Sequence, residues 1–518
     1  MAEPIRIESY VEGRWVPGEG DGSPLVNPAT GELLATASTT GIDLGAALRH
    51  AREVGGPALR ALTFAQRAGV LKGLVGVIRE HRDELLDVAM RNGGNTKGDA
   101  KFDVDGASGT LGFYANLGRG LGEAKHLLDG DSVPLGRSTP LAGRHLWVPR
   151  RGAAVLVNAY NFPAWGFAEK TACALLAGMP VVVKPATQTA LVAWRIAQLF
   201  VESGLLPPGS WTFLAGPAGD LLDHLEGQDV LAFTGSAATG ARMRSHRRVL
   251  EKGVRVNVEA DSLNAAVLGP DVAPGSPTWE LFVKEVVHEM TQKAGQKCTA
   301  TRRVFVPADR LEAARDALAK SLAQVLVGNP IEEGVGMGPV VSEGQRRDVE
   351  EGIATLGRVA EVAWRGEAPA GYGFVAARLL VAADPRAAHA VHSREVFGPV
   401  ATLMPYDGSA EDAGELVGLG EGSLVSSVYS DDGEFIAAAV LAMAPYNGRV
   451  HVGAAEVAAE SCGPGTVLPG LVHGGPGRAG SGEELGGIRG LHHFMQRTAV
   501  QGPQSALDRL ATDGVAAG

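Results

Sequence analysis

The sequence predicts an α/β protein of two domains, each built on a largely parallel β-sheet. Its 518 residues, 45% of them hydrophobic, exceed what one hydrophobic core usually organises. The middle third alternates strand-like apolar runs with helical segments, a pattern typical of a parallel sheet covered on both faces. A second alternating block, from about residue 263 to 459, predicts the other domain.

The predicted elements follow one another regularly along the chain. Residues 44–91 have helical composition and precede the first sheet. Short apolar runs then predict buried strands, and the segments between them predict helices. The predicted strands are Ala153–Asn158, Val181–Lys184, Trp211–Leu214 and Val230–Phe233. The predicted helices are Phe167–Leu176, Leu191–Val201 and Leu221–Leu225, and the second block adds a helix at Leu311–Val325 and strands near Val304 and Val400.

Composition excludes several classes of protein. Three cysteines without a close pair supply neither a disulfide framework nor a CxxC zinc site. The N-terminus lacks a basic region followed by an apolar stretch, and no run approaches the roughly 18 apolar residues of a membrane span. A net charge of −11 argues against general nucleic-acid binding. The sequence therefore predicts a cytoplasmic protein with no nucleic-acid or membrane partner.

A glycine-rich stretch and four histidines could suggest a phosphate site and a metal site, but their patterns fit neither. The glycine-rich stretch Gly474–Gly482 lacks the Gly-Lys-Ser/Thr ending of a phosphate loop, so we expect an irregular loop. His389, His392, His492 and His493 are scattered without a third ligand, so we expect no metal site.

The segment Ala294–Ala300 carries the strongest chemical signal. It contains Cys298 between small and polar residues and follows the carboxylates of Glu259 and Asp261 by about forty residues. A lone cysteine is usually a small buried hydrophobe. A thiol that a substrate can approach, with a carboxylate available as base, suits covalent catalysis instead.

Eight motifs appear in an order that resembles the aldehyde dehydrogenase superfamily. They are Tyr10–Trp15, Asn27–Gly31, Asn161–Pro163, Lys184–Ala186, Phe233–Ser236, Glu259, Gly295–Cys298 and Glu395–Pro399. Three longer stretches resemble the branch that oxidises ring-opened, coenzyme-A-linked semialdehydes in aerobic breakdown of benzoate and phenylacetate. They are Glu259–Asn264, Glu289–Ala300 and His493–Gly502.

The resemblance implies the domain plan. A Rossmann-like, parallel-sheet domain for the dinucleotide would comprise residues 1–126 and 150–261, and an α/β catalytic domain residues 262–470. Residues 127–149 and 488–518 would form a β arm that completes a partner's sheet. Because an isolated monomer would leave strand edges uncovered, we expect a homodimer.

The resemblance also implies the reaction. Cys298 would add to the aldehyde, while the side-chain amide of Asn161 and the backbone N–H of Cys298 stabilise the oxyanion. Hydride transfer would leave a thioester, which water hydrolyses with Glu259 as general base. We expect partial burial to raise the pKa of Glu259. Lys170 matches a family lysine near the active site.

The cofactor residues follow from the same resemblance. Gly235 and Ser236, at the start of a helix, would hold the pyrophosphate, and Lys184 the adenosine ribose. Thr187 stands where NAD-preferring relatives often carry a glutamate, which favours NADP, with NAD as the alternative. Glu395 would bind the nicotinamide ribose, and Phe397 would pack near that ring.

Two departures from the family pattern stand out. The chain reads Glu484-Leu-Gly-Gly487, where many hydrolytic relatives have a proton-relay glutamate in place of Gly487. Lys297 precedes the nucleophile, so either its charge lowers the pKa of Cys298 or its side chain points away.

Three functions remain open. The favoured one is NADP-dependent, non-acylating oxidation of a coenzyme-A-linked semialdehyde. The others are an acylating dehydrogenase that forms a coenzyme A thioester, and a non-catalytic protein of the same fold. Retention of Glu259 favours the first, because acylating relatives commonly lack this base.

Overall fold

A computed structural model describes residues 4–516, and these form four β-sheets with helices packed around them. Their strands are β1 Ile5–Ile7, β2 Ser9–Val11, β3 Arg14–Val16, β4 Ser23–Val26, β5 Leu33–Ala37, β6 His126–Pro134, β7 Leu141–Pro149, β8 Ala154–Val157, β9 Val181–Lys184, β10 Trp211–Phe213, β11 Val230–Thr234, β12 Arg255–Glu259, β13 Ala265–Leu268, β14 Arg303–Pro307, β15 Glu361–Arg365, β16 Arg378–Val381, β17 Val400–Tyr406, β18 Ser423–Tyr429, β19 Asn447–Gly453, β20 Met495–Pro503 and β21 Gly514–Ala516.

Seventeen α-helices lie within the described residues. They are α1 Leu44–His50, α2 Gly56–Ala61, α3 Phe64–Glu80, α4 Arg82–Gly93, α5 Lys97–Leu121, α6 Trp165–Ala177, α7 Ala190–Glu202, α8 Ala237–Arg244, α9 Arg247–Lys252, α10 Pro277–Thr291, α11 Leu311–Leu322, α12 Glu343–Leu356, α13 His389–Ser393, α14 Ala410–Gly418, α15 Gly433–Met443, α16 Ile488–His493 and α17 Gln504–Thr512. Local chemistry sets their ends. Thr63 and Thr96, for example, form capping boxes that begin α3 and α5.

The first large sheet has the order β12-β11-β8-β9-β10-β2-β3. Strands β8 to β12 pair in parallel, whereas β2 and β3 add an antiparallel hairpin at one edge. The chain moves from β8 to β9 and β10, then returns to place β11 on the other side of β8. The carboxyl ends of β8 and β11 therefore border a topological switch point, where ligands of such sheets bind.

The second large sheet has the order β15-β16-β17-β14-β13-β18-β19. It is parallel apart from β15, which pairs antiparallel with β16. The central strand β14 and the strand β18 are fully buried, as expected for a sheet with helices on both faces. The two predicted α/β units are confirmed as two seven-stranded sheets.

A four-stranded sheet of order β20-β7-β6-β21 forms the arm. Strands β20 and β7 pair antiparallel over nine residues. Both lie in the segments that the resemblance assigns to the β arm. The second part of the arm begins at Met495, not at residue 488. Helix α16 packs on α6, and Leu491 and Phe494 are buried in the core around the first sheet.

The hydrophobic side chains gather in separate cores on the two large sheets. Across residues 4–516 no single helix is long and apolar enough to cross a membrane. The stretch Leu44–Ala61 reaches that length and composition only together with α3, to which it is bent by 109°.

Candidate active site

A large cleft opens at the switch point of the first sheet. Its volume is about 650 Å³, and its lining includes Asn158 after β8, Thr234 at the end of β11 and Glu259 at the end of β12. Cys298 from the catalytic domain lies at the inner end of the same cleft. The topology therefore brings the predicted nucleophile and base together.

The loop that carries Cys298 has an unusual backbone. Three successive residues, Lys293, Ala294 and Gly295, have φ angles of 53°, 53° and 69°. A side chain on Gly295 would lie 2.2 Å from the carbonyl oxygen of Gly398, so only glycine fits there. The left-handed turn ends α10 and directs the chain to Cys298, at a cost in backbone strain.

Two buried side chains hold this loop. The side-chain amide of Asn264 donates to the carbonyl oxygens of Cys298 at 2.8 Å and Ala300 at 2.9 Å. The guanidinium of Arg302 donates to the carbonyls of Gly295 and Gly398, both at 2.8 Å. Neither residue received a role from the sequence, although Asn264 lies in a motif that resembles the family. Together they restrict the nucleophile to one backbone geometry.

Lys297 is not available to Cys298 as a free cation. Its fully buried ammonium lies 2.8 Å from the Glu289 carboxylate and donates to Gln292 at 2.6 Å. Burial, followed by the negative charges of Glu259 and Glu169, raises the pKa of Cys298 well above its usual range. The Lys297 charge does lower the pKa of Cys298, but by less than burial and the two carboxylates raise it. The free protein therefore holds a thiol.

Glu259 lies among charged neighbours at the end of β12. Its carboxylate is 3.6 Å from the Lys170 ammonium and 3.4 Å from Nε2 of His473. Burial raises its pKa, but Lys170 and His473 outweigh that effect, so the pKa lies below its ordinary value. The expectation of a raised pKa is wrong, because the sequence did not reveal these two partners.

Lys170 itself is shared between two carboxylates. It lies 3.4 Å from Glu169 and 3.6 Å from Glu259, and it donates to the Thr234 hydroxyl at 3.2 Å. Burial lowers the pKa of Lys170, but the two carboxylates raise it by more, so the pKa lies above its ordinary value. Lys170 is therefore held as a cation beside Glu259.

Two potential hydrogen-bond donors lie at the cavities around Cys298. The side chain of Asn161 lines the cleft on one side of Cys298 and a second pocket on the other. The backbone N–H of Cys298 donates no hydrogen bond to any group within residues 4–516. Both are free to bind an oxygen next to the Cys298 sulfur.

The second pocket is narrow, with three aromatic rings among otherwise mostly polar and charged lining residues. It has a volume of about 50 Å³ and is lined by Phe102, Phe162 and Trp165 beside Cys298. Phe102 and Trp165 also border an outer cavity of about 720 Å³, which includes Lys101 and His288. The outer cavity, which we call the vestibule, therefore adjoins the narrow pocket beside the thiol and shares the Phe102 and Trp165 side chains with it.

The opposite cleft has the features of a dinucleotide site. Gly235 begins the turn after β11, where an added Cβ would lie 2.5 Å from the Phe233 ring. The Ser236 hydroxyl caps α8, and the first N–H of that helix donates to the Asp261 carboxylate at 2.8 Å. This helix N-terminus therefore already attracts an anion, as a pyrophosphate site requires.

The adenosine end of the cleft contains Lys184 and Ala186. Lys184 forms no ion pair within the described chain, and burial lowers its pKa to about 8. Thr187 begins a short 3₁₀ turn and does not line the cleft. Of the two residues from which the sequence predicts NADP, only Lys184 lines the site.

Glu395 and Phe397 line the nicotinamide end of the same cleft. Oε1 of Glu395 is buried without a hydrogen-bond partner, 3.8 Å from Arg302. Burial raises the pKa of Glu395 to about 7. An orphaned acceptor beside an open cleft fits the ribose hydroxyls of a dinucleotide, so the residues present suit this cofactor.

Every predicted site residue except Thr187 lies on this continuous system of cavities. The residues that sequence reasoning missed are Glu169, His473 and the aromatic walls. Glu169 directly precedes Lys170, but adjacency gives no sign of their pairing. His473 precedes the glycine-rich stretch, which is an irregular loop as expected, with one 3₁₀ turn at Gly477–Ala479.

The chain matches known proteins along most of its length. A model described as "Aldehyde dehydrogenase family" matches residues 15–500. The chain is similar to 3,4-dehydroadipyl-CoA semialdehyde dehydrogenase of Aromatoleum evansii, at 47% identity over 480 residues, which cover 91% of this chain and 93% of the relative. It is 28% identical over 415 residues to an NADP(+) succinate-semialdehyde dehydrogenase of Escherichia coli K12, covering 79% and 82%. An NAD+ complex of an aldehyde dehydrogenase from Bacillus cereus superposes with a TM-score of 0.83 at 25% identity, covering 96% of each chain.

Proposed function

Because the chain belongs to the aldehyde dehydrogenase family, and is thus an NAD(P)-dependent oxidoreductase, we propose that it oxidises a coenzyme-A-linked aliphatic semialdehyde with NADP. The product is the carboxylic acid, formed through a thiohemiacetal and a thioester on Cys298. A substrate such as 3,4-dehydroadipyl-CoA semialdehyde agrees with the name of the 47% identical relative. The reaction would then belong to the breakdown of an aromatic acid such as benzoate.

The shape of the substrate side carries the proposal. The narrow pocket beside Cys298, about 50 Å³ in volume, adjoins the vestibule of about 720 Å³, with which it shares Phe102 and Trp165. A thin aliphatic chain with a terminal aldehyde suits the pocket, whereas a coenzyme A head group must stay in the vestibule. The charged side chains of the vestibule are Lys101, Asp99 and Asp105, and Asp105 is paired with Arg82 at 2.6 Å. Lys101 is therefore the vestibule cation that a phosphate could contact.

The first half of the reaction forms the thioester. The Cys298 thiol gives its proton to solvent, and the sulfur adds to the aldehyde carbon. The Asn161 amide and the Cys298 N–H stabilise the resulting oxyanion. When bound, the nicotinamide accepts the hydride that this intermediate releases. Lys184, Ser236 and Glu395 would hold the cofactor.

The second half hydrolyses the thioester. Glu259 removes a proton from water, whose oxygen attacks the thioester carbon, and the carbon–sulfur bond then breaks. Glu259 lines the narrow pocket beside Cys298, which we call the acyl pocket. A base at this position supports release of an acid over transfer of the acyl group to coenzyme A. The non-catalytic alternative is excluded by membership in this enzyme family together with the assembled Cys298, Glu259 and Asn161.

The test is a panel of aldehydes assayed with both cofactors. We expect the highest kcat/KM for a coenzyme-A-linked semialdehyde with NADP, and a free acid as product. Simple short aldehydes with higher kcat/KM would contradict the substrate class. A new acyl-coenzyme A thioester formed only when free coenzyme A is added would establish the acylating alternative instead.

We also propose a homodimer assembled through the arm. Strand β20 ends the arm sheet and β19 ends the catalytic sheet, so each leaves one edge without a strand partner in the described chain. Pairing of such edges between two copies would cover both. Placement in the cytoplasm stays a prediction from the sequence.

A further inference from the structure

Three cavities meet at Glu259. Two are the cofactor cleft and the acyl pocket, which cofactor and substrate fill during the reaction. The third is a small internal chamber of about 30 Å³ behind the carboxylate. Oxidation of an aldehyde to an acid anion by NADP and water releases two protons for each turnover. With the other two cavities filled, the chamber is the remaining route away from Glu259.

His473 separates the chamber from the acyl pocket and borders both. Its side chain is 2% exposed, and Nε2 lies 3.4 Å from Glu259. Neither ring nitrogen has a hydrogen-bond partner of regular geometry. Donor atoms of His473, Glu259 and Cys298 all lie within 4.8 Å of one another. A buried imidazole with two unpartnered nitrogens is costly unless both are used.

The backbone around His473 is built to hold it there. The next residue, Gly474, packs against Gly448 so closely that a Cβ on Gly448 would lie 1.9 Å from the Gly474 carbonyl oxygen. Farther along the same loop, the Ala479 carbonyl accepts a hydrogen bond from Ala260 N–H at 3.1 Å. The glycine-rich loop is therefore fixed between the two domains, with His473 at its start.

The chamber has the lining of a small polar passage. The Tyr114 hydroxyl and Nε2 of His493 border it as buried atoms without hydrogen-bond partners. Its volume accommodates about two water molecules, which would satisfy these groups. Glu483 also lines it and is exposed to solvent. The lining thus leads from Glu259 to the surface.

We propose that His473 carries the proton released in thioester hydrolysis from Glu259 into this chamber. The inference rests on the proposed function, because it requires that water, not coenzyme A, accepts the acyl group. Water loses a proton to the Glu259 carboxylate as its oxygen bonds to the thioester carbon. The carboxyl group passes that proton to Nε2 of His473, and Nδ1 gives a proton to chamber water. Cys298 leaves as thiolate and regains a proton before the next cycle.

The neighbouring groups are less suited to this task. Lys170 already holds its full complement of protons between Glu169 and Glu259, so it cannot accept another. Gly487, where relatives place a relay glutamate, has no side chain. Glu169 also borders both cavities, but its carboxylate is paired with the Lys170 ammonium at 3.4 Å. The imidazole of His473 can accept a proton at one nitrogen and release another from the second.

The decisive variant is His473→Gln, measured by rapid mixing with any aldehyde that the wild-type enzyme converts to acid. We expect a cofactor-reduction burst of full amplitude, followed by turnover about 100-fold slower. Intact-mass measurement should show the acyl group retained on the enzyme. His492→Gln is the matched control, because His492 stacks on Trp147 and lines neither pocket nor chamber, and it should turn over normally.

A second variant excludes a purely structural effect. In His473→Ala, added imidazole should restore turnover in a saturable manner, since it can occupy the vacated space and carry the proton. Wild-type turnover in His473→Gln, loss of the burst together with turnover, or no response of His473→Ala to imidazole would each overturn the proposal. If the wild-type enzyme itself releases no acid, it is the proposed function that fails.

Discussion

Glu259 and Cys298 lie side by side but belong to different domains. Glu259 ends β12 at the edge of the first sheet, and Cys298 precedes β14 at the centre of the second. Their reactive atoms nevertheless lie within 4.8 Å of each other. The base and the nucleophile therefore depend on how the two domains pack, and neither domain contains the catalytic pair by itself.

Replacement of Lys170 by methionine should shift the pH dependence of thioester hydrolysis. Lys170 lowers the pKa of Glu259, so the basic carboxylate is present above that depressed pKa and is lost as pH falls through it. Without the cation, burial raises the pKa of Glu259. The acidic limb of the pH–rate profile for hydrolysis should therefore shift to higher pH by about 1 to 3 units. Single-turnover hydrolysis between pH 4 and 8 (roughly the range over which carboxyl groups shifted this far titrate) measures this. Lys170→Arg should keep the wild-type limb, and an unmoved limb in the methionine variant would exclude Lys170 as the cause.

Glu259→Gln should separate the two halves of the reaction. We expect one equivalent of reduced cofactor per site, followed by a stall with the acyl group on Cys298, and turnover at least about 100-fold lower. Rapid mixing and intact-mass spectrometry detect these states. Cys298→Ala is the control: it should bind cofactor normally but give no burst. Absence of a burst in Glu259→Gln would show instead that Glu259 acts earlier, in activating the thiol or positioning the aldehyde.

NADP preference should depend on the charge of Lys184. Its pKa of about 8 means that the ammonium is present below pH 8 and is lost above it. The Kd for NADP should therefore rise as pH increases through 8, while the Kd for NAD changes less. Lys184→Gln should weaken NADP about 10-fold at neutral pH. Thr187→Glu adds a nearby negative charge and should also weaken NADP more than NAD. Titration of both cofactors from pH 7 to 9 (roughly one unit either side of a pKa near 8) tests this, and equal Kd values in the wild-type protein would refute the preference.

Lys297 should matter for stability. Lys297→Met leaves the buried Glu289 carboxylate without its cation, at a cost of about 3–5 kcal/mol. The double variant Lys297→Met with Glu289→Leu should recover most of that loss, because it removes both charges. Urea unfolding of the three proteins gives the comparison. A single variant as stable as wild type would mean that Glu289 becomes protonated or hydrated instead.

The arm should control association. Neighbouring residues of a strand point their N–H groups to opposite sides, so of Ala499 and Val500 in β20 one faces β7 and the other the open edge. Proline at the outward N–H should leave the arm folded and shift sedimentation from dimer to monomer. Proline at the inward position is the comparison and should disturb the arm itself. An unchanged dimer with proline at either position would place the interface elsewhere.

The sequence predicts the sheets well because parallel strands buried on both faces leave continuous apolar runs. Val181–Lys184 is observed with the same bounds as predicted. The predicted helix Leu311–Val325 ends earlier, at Leu322, because apolar periodicity continues into the turn and does not mark the last hydrogen-bonded residue.

The candidate site was accessible from sequence only where residues lie in local motifs. Cys298, Asn161 and Glu259 have such contexts. His473 does not, since its position depends on a glycine-rich loop fixed between the domains, more than 200 residues after Glu259. The lowered pKa of Glu259 could not be predicted for the same reason. It results from Lys170 and His473, which tertiary packing brings close to Glu259.

The discontinuous core of the first domain has a consequence for synthesis on the ribosome. Ile7, near one end of the chain, and Met495, near the other, are both completely buried in that core. The strands of the second large sheet are contiguous in sequence, so this sheet can form during synthesis. The first domain, whose N-terminal part is made earlier, must wait for the C-terminal residues that complete its core. The domain that begins first is therefore the one completed last, and cofactor binding reports that residues up to 495 have been made and packed.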